Sequence, residues 1–355
     1  MSDLYDFAIV GGGLSGSTLA LLLSEHGSVV IVEDAGEYSG SGIPAGLFNP
    51  IMTRQGTRVW RATEALQHLE QLLGQVGSNV LISRGVIRPA QTEKQKAAFM
   101  RSASDNSDLC RWEESDAIAR AHPAVHAPFG ALTVDAAGSI NIPEFCEQLK
   151  SSAAIRGVAR VQGHVESVDT GNDSAELTVT GSDNVRSLRA RHVVLAVGAG
   201  YLHFPILQRL NLHRIKGQVI EIEKPAGTGT IPSLSGSGYI IDAGDRIVAG
   251  SSYEHQFSSA APDDNISNEV RTKVSRMLPL LESQPIVDQH SGVRLTVPQS
   301  YLPMLGPVDS RGRVWFTGGL GSKGLLMSAW ISANMYDIMV GKRSVPEPLS
   351  LSFVS

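Results

Sequence analysis

Cysteine is almost missing from these 355 residues, with only Cys110 and Cys146 present. Two thiols cannot build a disulfide framework or a four-cysteine metal site. Aromatic residues are sparse at 6%. A basic surplus is lacking as well: 30 Lys and Arg stand against 35 Asp and Glu, a net charge of -5. Such a surface offers no general attraction to a phosphate backbone or anionic lipid. Greasy runs such as Leu19 to Leu23 fall far short of the roughly 20 residues a bilayer span needs. The opening Met1-Ser2-Asp3-Leu4-Tyr5-Asp6 carries no basic region ahead of an apolar core, so cytoplasmic residence is the expectation. The histidines form no metal pattern, because Pro123 between His122 and His126 argues against one helix presenting both. No GxSxG nucleophile elbow occurs.

Glycine, in contrast, is plentiful at 36 residues. It implies many tight turns and close backbone approaches. Apolar residues at 42% and charged residues at 18% exclude a mainly disordered chain. The length exceeds what one hydrophobic core usually supports, so two lobes are expected.

The richest glycine cluster comes at once. A β-prone run over residues 5–10 leads into Gly11-Gly12-Gly13-Leu14-Ser15-Gly16, a helix over 17–26 follows, and the β-branched run 29–32 ends on Glu33. This is the opening of a doubly wound sheet. Gly11 permits the tight turn, Gly13 admits backbone N–H groups to a pyrophosphate, and Gly16 lets helix and strand pack closely. The helix N-terminus favours phosphate charge, and Glu33 can accept both ribose hydroxyls of an adenosine while repelling a 2′-phosphate. The ligand class implied is an adenine dinucleotide, FAD or NAD.

Further along, the spacing predicts a helix over 58–75 with Trp60, Leu66, Leu69 and Leu73 on its buried face, and others over 92–103 and 143–155. Strands are expected at 158–169 and 175–180, then a central parallel strand at 191–197 running into Gly198-Ala199-Gly200. Residues 214–255 read as an antiparallel sheet. The strand 313–317, the loop Gly318 to Gly324 and a helix over 325–340 repeat the opening pattern. We therefore expect an α/β fold with interleaved lobes. A Rossmann-type dinucleotide lobe takes residues 1–80, 141–205 and 291–355, and a substrate lobe on an antiparallel sheet takes 81–140 and 206–290.

Three segments separate FAD from NAD. The 198–200 turn, the loop 39–50 with Gly40, Ser41 and Gly42, and the loop 318–324 each bring backbone close to something bulky. A nicotinamide dehydrogenase needs one such turn, whereas a buried FAD touches protein along its whole length.

In their order these motifs resemble the D-amino-acid-oxidase-like family of FAD-dependent oxidoreductases, over nearly the whole chain. The resemblance rests on Gly11 to Gly16 with Glu33, SGSGxxAG at 39–46 and VVLAVGAG at 193–200. It continues in KGQ at 216–218, GSSYE at 250–254, GVR at 292–294, LPMLGP at 302–307 and GLGSKGL at 319–325. GLFNP at 46–50 and the last motif look most similar to the oxidase domain of the bifunctional tRNA 5-methylaminomethyl-2-thiouridine enzyme.

The resemblance implies oxidation of a C–N bond in an amino acid or secondary amine. It implies FAD bound by Gly11, Gly13, Leu14, Ser15, Gly16, Glu33, Asp34, Ser41, Gly42, Gly46, Val165, Gly198, Ala199, Gly319, Gly321, Ser322, Lys323 and Gly324. The cofactor is expected to be non-covalent, since neither cysteine sits in a motif that would face the ring. Arg294 would pair with a substrate carboxylate, for which a guanidinium fork suits better than an ammonium. Lys323 would set a cation near developing negative charge. Tyr253 and Tyr239 would line the cavity, and either Arg54 or Arg58 would stand over the flavin face. The alternatives are a tRNA wobble-uridine (carboxymethylaminomethyl) oxidase and a flavin-binding protein without turnover. A small-molecule amine is the expected partner, and no membrane segment is expected. A nicotinamide dehydrogenase is the remaining rival.

Overall fold

The computed structural model describes residues 4–34, 36, 39–182 and 184–353. The outermost residues of the expected dinucleotide lobe, 1–3 and 354–355, lie outside them.

Leu4–Val10 is the middle of a parallel sheet, flanked by Val29–Glu33 and Val185–Leu195. Ala159–Gln162 adds beyond Val29–Glu33, and Val314–Gly318 adds beside the end of Val185–Leu195, all parallel. Both faces of these strands are covered, which explains why they read as unbroken apolar runs. Leu14–Leu23, Ile142–Ile155 and Gly324–Met339 pack one face around Phe145, Trp315 and Trp330. The other face is closed by the antiparallel strands His164–Thr170 and Ala175–Thr180 together with Tyr201, Phe204 and Leu207. The expected strand over 158–169 is two strands, because the chain turns at Gly163, where a Cβ would come within 2.8 Å of Val179.

The second sheet runs in the order Ile286–Thr296, His213–Glu223, Arg246–Gly250, Tyr239–Asp242, Leu234–Ser235, Leu81–Pro89, Ala131–Ile140, Gly46–Phe48. Cys110–Glu113 also pairs with Ala131–Ile140. Every pairing is antiparallel except that of Leu234–Ser235 with Leu81–Pro89. Gly46–Phe48 and the 291–296 part of the strand Ile286–Thr296 thus belong to this sheet, although the sequence reading assigns them to the dinucleotide lobe. The helix Asp264–Ser275 packs on it, its first turn capped by the Asp263 carboxylate, which accepts from Asn265 and Ile266 N–H groups.

The helix expected over 58–75 is shorter, Ala62–Leu73. Thr57–Arg58 instead pairs with Ile51–Met52, and Arg61 has φ 50° immediately before the first helical residue. Its fully buried residues are Ala62, Ala65, Leu69 and Leu72, while Trp60, Leu66 and Leu73 pack at the edge of the core. No helix among the described residues is long and apolar enough to cross a membrane.

Candidate active site

A cleft of about 2670 Å³ opens at the carboxyl ends of the parallel strands and extends over the second sheet. Its position is where ligands bind in open parallel sheets.

The parallel-sheet end is shaped by backbone. Gly11 has φ +107°, and a Cβ there would lie 2.5 Å from the Ala196 carbonyl oxygen; one at Gly16 would overlap the Gly11 carbonyl. The first strand, the helix after it and the turn after Val185–Leu195 therefore meet only because those positions lack side chains. The Ser41 hydroxyl accepts from the Leu14 N–H at 2.9 Å, tying the 39–46 loop to the start of the first helix. That loop also lies on the GVR strand, with Ser39 bridged to Val293. The last long helix begins at Gly324, whose side-chain position is 3.4 Å from Leu14. Two helix N-termini thus converge on one wall of the cleft, a favourable setting for anionic groups.

The residues present suit FAD on independent grounds. Ser15 Oγ and Thr317 Oγ1 are buried, line the cleft and have no hydrogen-bond partner among the described residues. Buried hydroxyls are normally satisfied, so an orphaned pair aimed into a cleft points to a polar ligand. Of the residues expected to bind the cofactor, Gly11, Gly13, Leu14, Ser15, Glu33, Asp34, Ser41, Gly42, Gly46, Val165, Gly198, Ala199, Gly319, Gly321, Ser322, Lys323 and Gly324 line this cleft, whereas Gly16 lies behind the wall, packed against the Gly11 carbonyl. The lining residues are those that would hold the cofactor.

Glu33 is less bare than the sequence implies. Its carboxylate accepts from Lys150 and from Arg160, each at 2.8 Å, and both cations also reach Glu147. Two positive charges neutralise it, so its repulsion of a 2′-phosphate is weaker than a free glutamate would exert. Asp34 pairs with His164 at 3.0 Å. Cys146 lies beside Lys150 and Ser17 near Glu33, and burial pushes its thiol up to about 12. Cys110 is buried against Ser102 and Asn106, away from the cleft lining.

The second-sheet end is organised around the segment 250–254. Arg294 donates from Nη2 to Ser251 Oγ and to the Ser252 carbonyl, both at 3.0 Å. Its guanidinium carbon is 4.5 Å from the Tyr253 ring centroid. Among the described residues it has no acidic partner. Gly217 permits this placement, since a Cβ there would overlap Arg294 Nη2. The segment is pinned from beneath: Ser252 Oγ accepts from the Gln218 N–H and donates to Glu254, whose carboxylate is 3.2 Å from the buried Lys216 ammonium. The KGQ, GSSYE and GVR motifs are therefore one contiguous support.

Tyr253 stands at the mouth, 56% exposed. Tyr239 donates to the Ala45 carbonyl at 3.2 Å, and burial pushes its phenol well above the usual range. Lys323 is tied to the Tyr301 carbonyl at 2.7 Å, and burial lowers its ammonium below the usual lysine range. Arg54 lines the cleft, whereas Arg58 is drawn away by a two-point ion pair with Asp108 at 3.0 and 2.9 Å.

Sequence reasoning missed Arg88 and Lys273. Arg88 is buried above the Phe99 ring and donates to the carbonyls of Ile51, Met52 and Thr53, fixing the turn that carries Arg54. Lys273 comes from the helix Asp264–Ser275, where no motif marks it. Away from the cleft, Glu221, Asp288 and His290 gather, but Glu221 is engaged by an ion pair with Arg246 and a hydrogen bond with His290.

Comparison with known proteins identifies the family. The family model described as FAD dependent oxidoreductase (DAO) matches residues 6–337. The bifunctional tRNA 5-methylaminomethyl-2-thiouridine biosynthesis protein MnmC of Thiobacillus denitrificans is 26% identical over 96% of this chain and 57% of its own length. The chain thus spans little more than half of that relative. Glycine oxidase of Geobacillus kaustophilus is 24% identical over 99% of this chain and 98% of its own. The crystal structure of that glycine oxidase superposes with TM-score 0.83, at 21% identity and 98% coverage of both chains. Iminodiacetate oxidase from Chelativorans superposes with TM-score 0.81, at 20% identity, covering 97% of this chain and 98% of the other. With a family model matched across most of its length, this chain belongs to the DAO family of FAD-dependent oxidoreductases.

Proposed function

We propose that this protein oxidises the C–N bond of a carboxylated amine, an amino acid or an N-substituted glycine, using non-covalently held FAD. The observation that carries the reading is Arg294. It is a half-buried guanidinium in the cleft, with both protein hydrogen bonds leaving from one nitrogen and no acidic partner among the described residues. Charge left uncompensated in a half-buried site calls for a ligand anion. When bound, FAD supplies the two-electron acceptor for the carbon next to nitrogen. Arg294 would grip the substrate carboxylate, Tyr253 would hold the guanidinium plane by stacking, and the Lys216–Glu254 pair would keep both in place. Tyr239 is a neutral phenol bonded to Ala45 and serves as wall rather than base. Lys323 would place positive charge at the base of the last helix. Cys110 lies off the cleft lining, and Cys146 lines the cleft at its Glu33 end, where the adenosine ribose rather than the ring would sit.

The reading is tested with Arg294→Ala. The Michaelis constant for a carboxylated amine should rise by about 10- to 100-fold, as expected for losing a charge-assisted pair. A neutral amine of the same size should be little affected. Equal effects on both would remove Arg294 as the anchor.

A second reading is oxidation of a carboxymethylaminomethyl group on a tRNA base. It is favoured by the MnmC relatives and by Arg54, Lys94 and Arg101, which line the cleft without acidic partners among the described residues. Retardation of bulk tRNA at low salt would support it, and its absence would set it aside.

A further inference from the structure

Beside Arg294 stands a second cation that the anchoring of one carboxylate leaves unused. Lys273 Nζ lies 5.5 Å from the centroid of the Tyr253 ring, the same ring that Arg294 covers at 4.5 Å. Both cations also converge on one residue: Arg294 donates to the Ser251 hydroxyl at 3.0 Å, and Lys273 donates to the Ser251 carbonyl at 3.1 Å. Lys273 is half-buried and lines the cleft. Its ammonium donates to that carbonyl, and among the described residues no carboxylate forms an ion pair with it. Glu269, one helical turn earlier, also lines the cleft but forms no ion pair with Lys273 among the described residues. The surroundings are positive as well: burial and the charges of Arg294, Arg54 and Arg276 push the Lys273 ammonium below its ordinary range.

Two adjacent cations with no protein anion between them repel each other, and the repulsion is strong where water is partly excluded. A ligand carrying one carboxylate would relieve half of it. A ligand carrying two would relieve it all, and it would find two donor sets already held by the same serine.

We infer that the substrate is a dicarboxylated secondary amine, with one carboxylate on Arg294 and the second on Lys273. This deepens the proposed function and rests on it for the identity of the reacting nitrogen. The second anion position itself rests only on the juxtaposition of Lys273, Arg294, Ser251 and Tyr253. Arg276 and Arg54 would add longer-range attraction at the mouth.

The test uses two ligands that lack the amine nitrogen and so cannot be oxidised by the proposed reaction. Diglycolate carries two carboxylates across an ether oxygen, and methoxyacetate carries one. Each is titrated into the FAD-loaded protein, with binding read from the flavin difference spectrum and from calorimetry. Diglycolate should bind at least about tenfold more tightly than methoxyacetate, as one added charge-assisted pair would give. In Lys273→Gln that ratio should collapse toward one, and Lys273→Arg should restore most of it. An unchanged flavin spectrum in the free variants shows that each still folds and holds FAD. The inference is overturned if diglycolate binds no more tightly than methoxyacetate, or if Lys273→Gln leaves the ratio intact. If the ratios behave as stated but no amine reduces the protein, the oxidation reading fails and the second anion position stands.

Discussion

Lys216 and Glu254 face each other at 3.2 Å beneath the cleft, the lysine side chain 4% exposed and the glutamate 18%. Neither reaches the cleft as a binding group, yet between them they fix the segment on which Arg294 rests. Backbone bonds run in parallel with the ion pair: the Lys216 and Glu254 N–H groups each donate to the other's carbonyl. Removing one charge leaves the other buried alone, which costs far more than removing both. Lys216→Met should therefore lower stability by about 3–5 kcal/mol. The double variant Lys216→Met with Glu254→Leu should recover much of the loss. Urea denaturation of the three proteins checks this; a double variant no more stable than the single one would contradict the assignment.

Gly16 is the tightest point of the cofactor cradle, since a methyl group there overlaps the Gly11 carbonyl. Gly16→Ala must push the helix Leu14–Leu23 away from the first strand and open the wall that would receive phosphate. The purified variant should be folded by circular dichroism but lose most of its bound flavin. Retention of a full complement of FAD would show that the turn tolerates the methyl group and that the cradle is misassigned.

This end of the molecule was legible in the sequence because its demands are local. The Gly11 to Gly16 spacing, the 198–200 turn and the 318–324 loop each announce a close approach within a few residues. The substrate end was less legible because its partners are distant in sequence. Arg54 and Arg58 look alike until Asp108, fifty residues on, claims Arg58. Glu33 reads as a free carboxylate until Lys150 and Arg160 arrive from more than a hundred residues away. Lys273 sits in a polar helix, DNISNEVRTKVS, whose sequence gives no hint that one of its cations faces the cleft. The lost first turn of the helix expected at 58–75 has a similar origin, since Thr57–Arg58 is captured by pairing with Ile51–Met52.

Arg88 supports the same region from behind. Its buried guanidinium holds three consecutive carbonyls, and burial lowers it to about 10, so it remains charged at neutral pH. Arg88→Met would leave those carbonyls unpaired and should cost about 2–4 kcal/mol. A change in urea midpoint of less than a few tenths of a molar unit would contradict this role.

Burial raises both thiols, Cys146 to about 12. A raised folded value means that the native state keeps its proton where the unfolded chain would lose it. The associated stability is present below the unfolded thiol value of about 8.5 and is lost as pH rises toward about 12. At pH 8 the native protein should react negligibly with a disulfide reagent and expose two thiols on unfolding. Rapid native labelling of Cys146 would contradict its placement beneath Glu33.

The most direct test of the whole account is anaerobic mixing of the yellow protein with a series of N-substituted glycines. At least one should bleach the flavin band near about 450 nm, faster when the substituent carries a second carboxylate. A protein that holds FAD but keeps that band against every carboxylated amine, while binding them, would contradict the claim that this cleft oxidises C–N bonds.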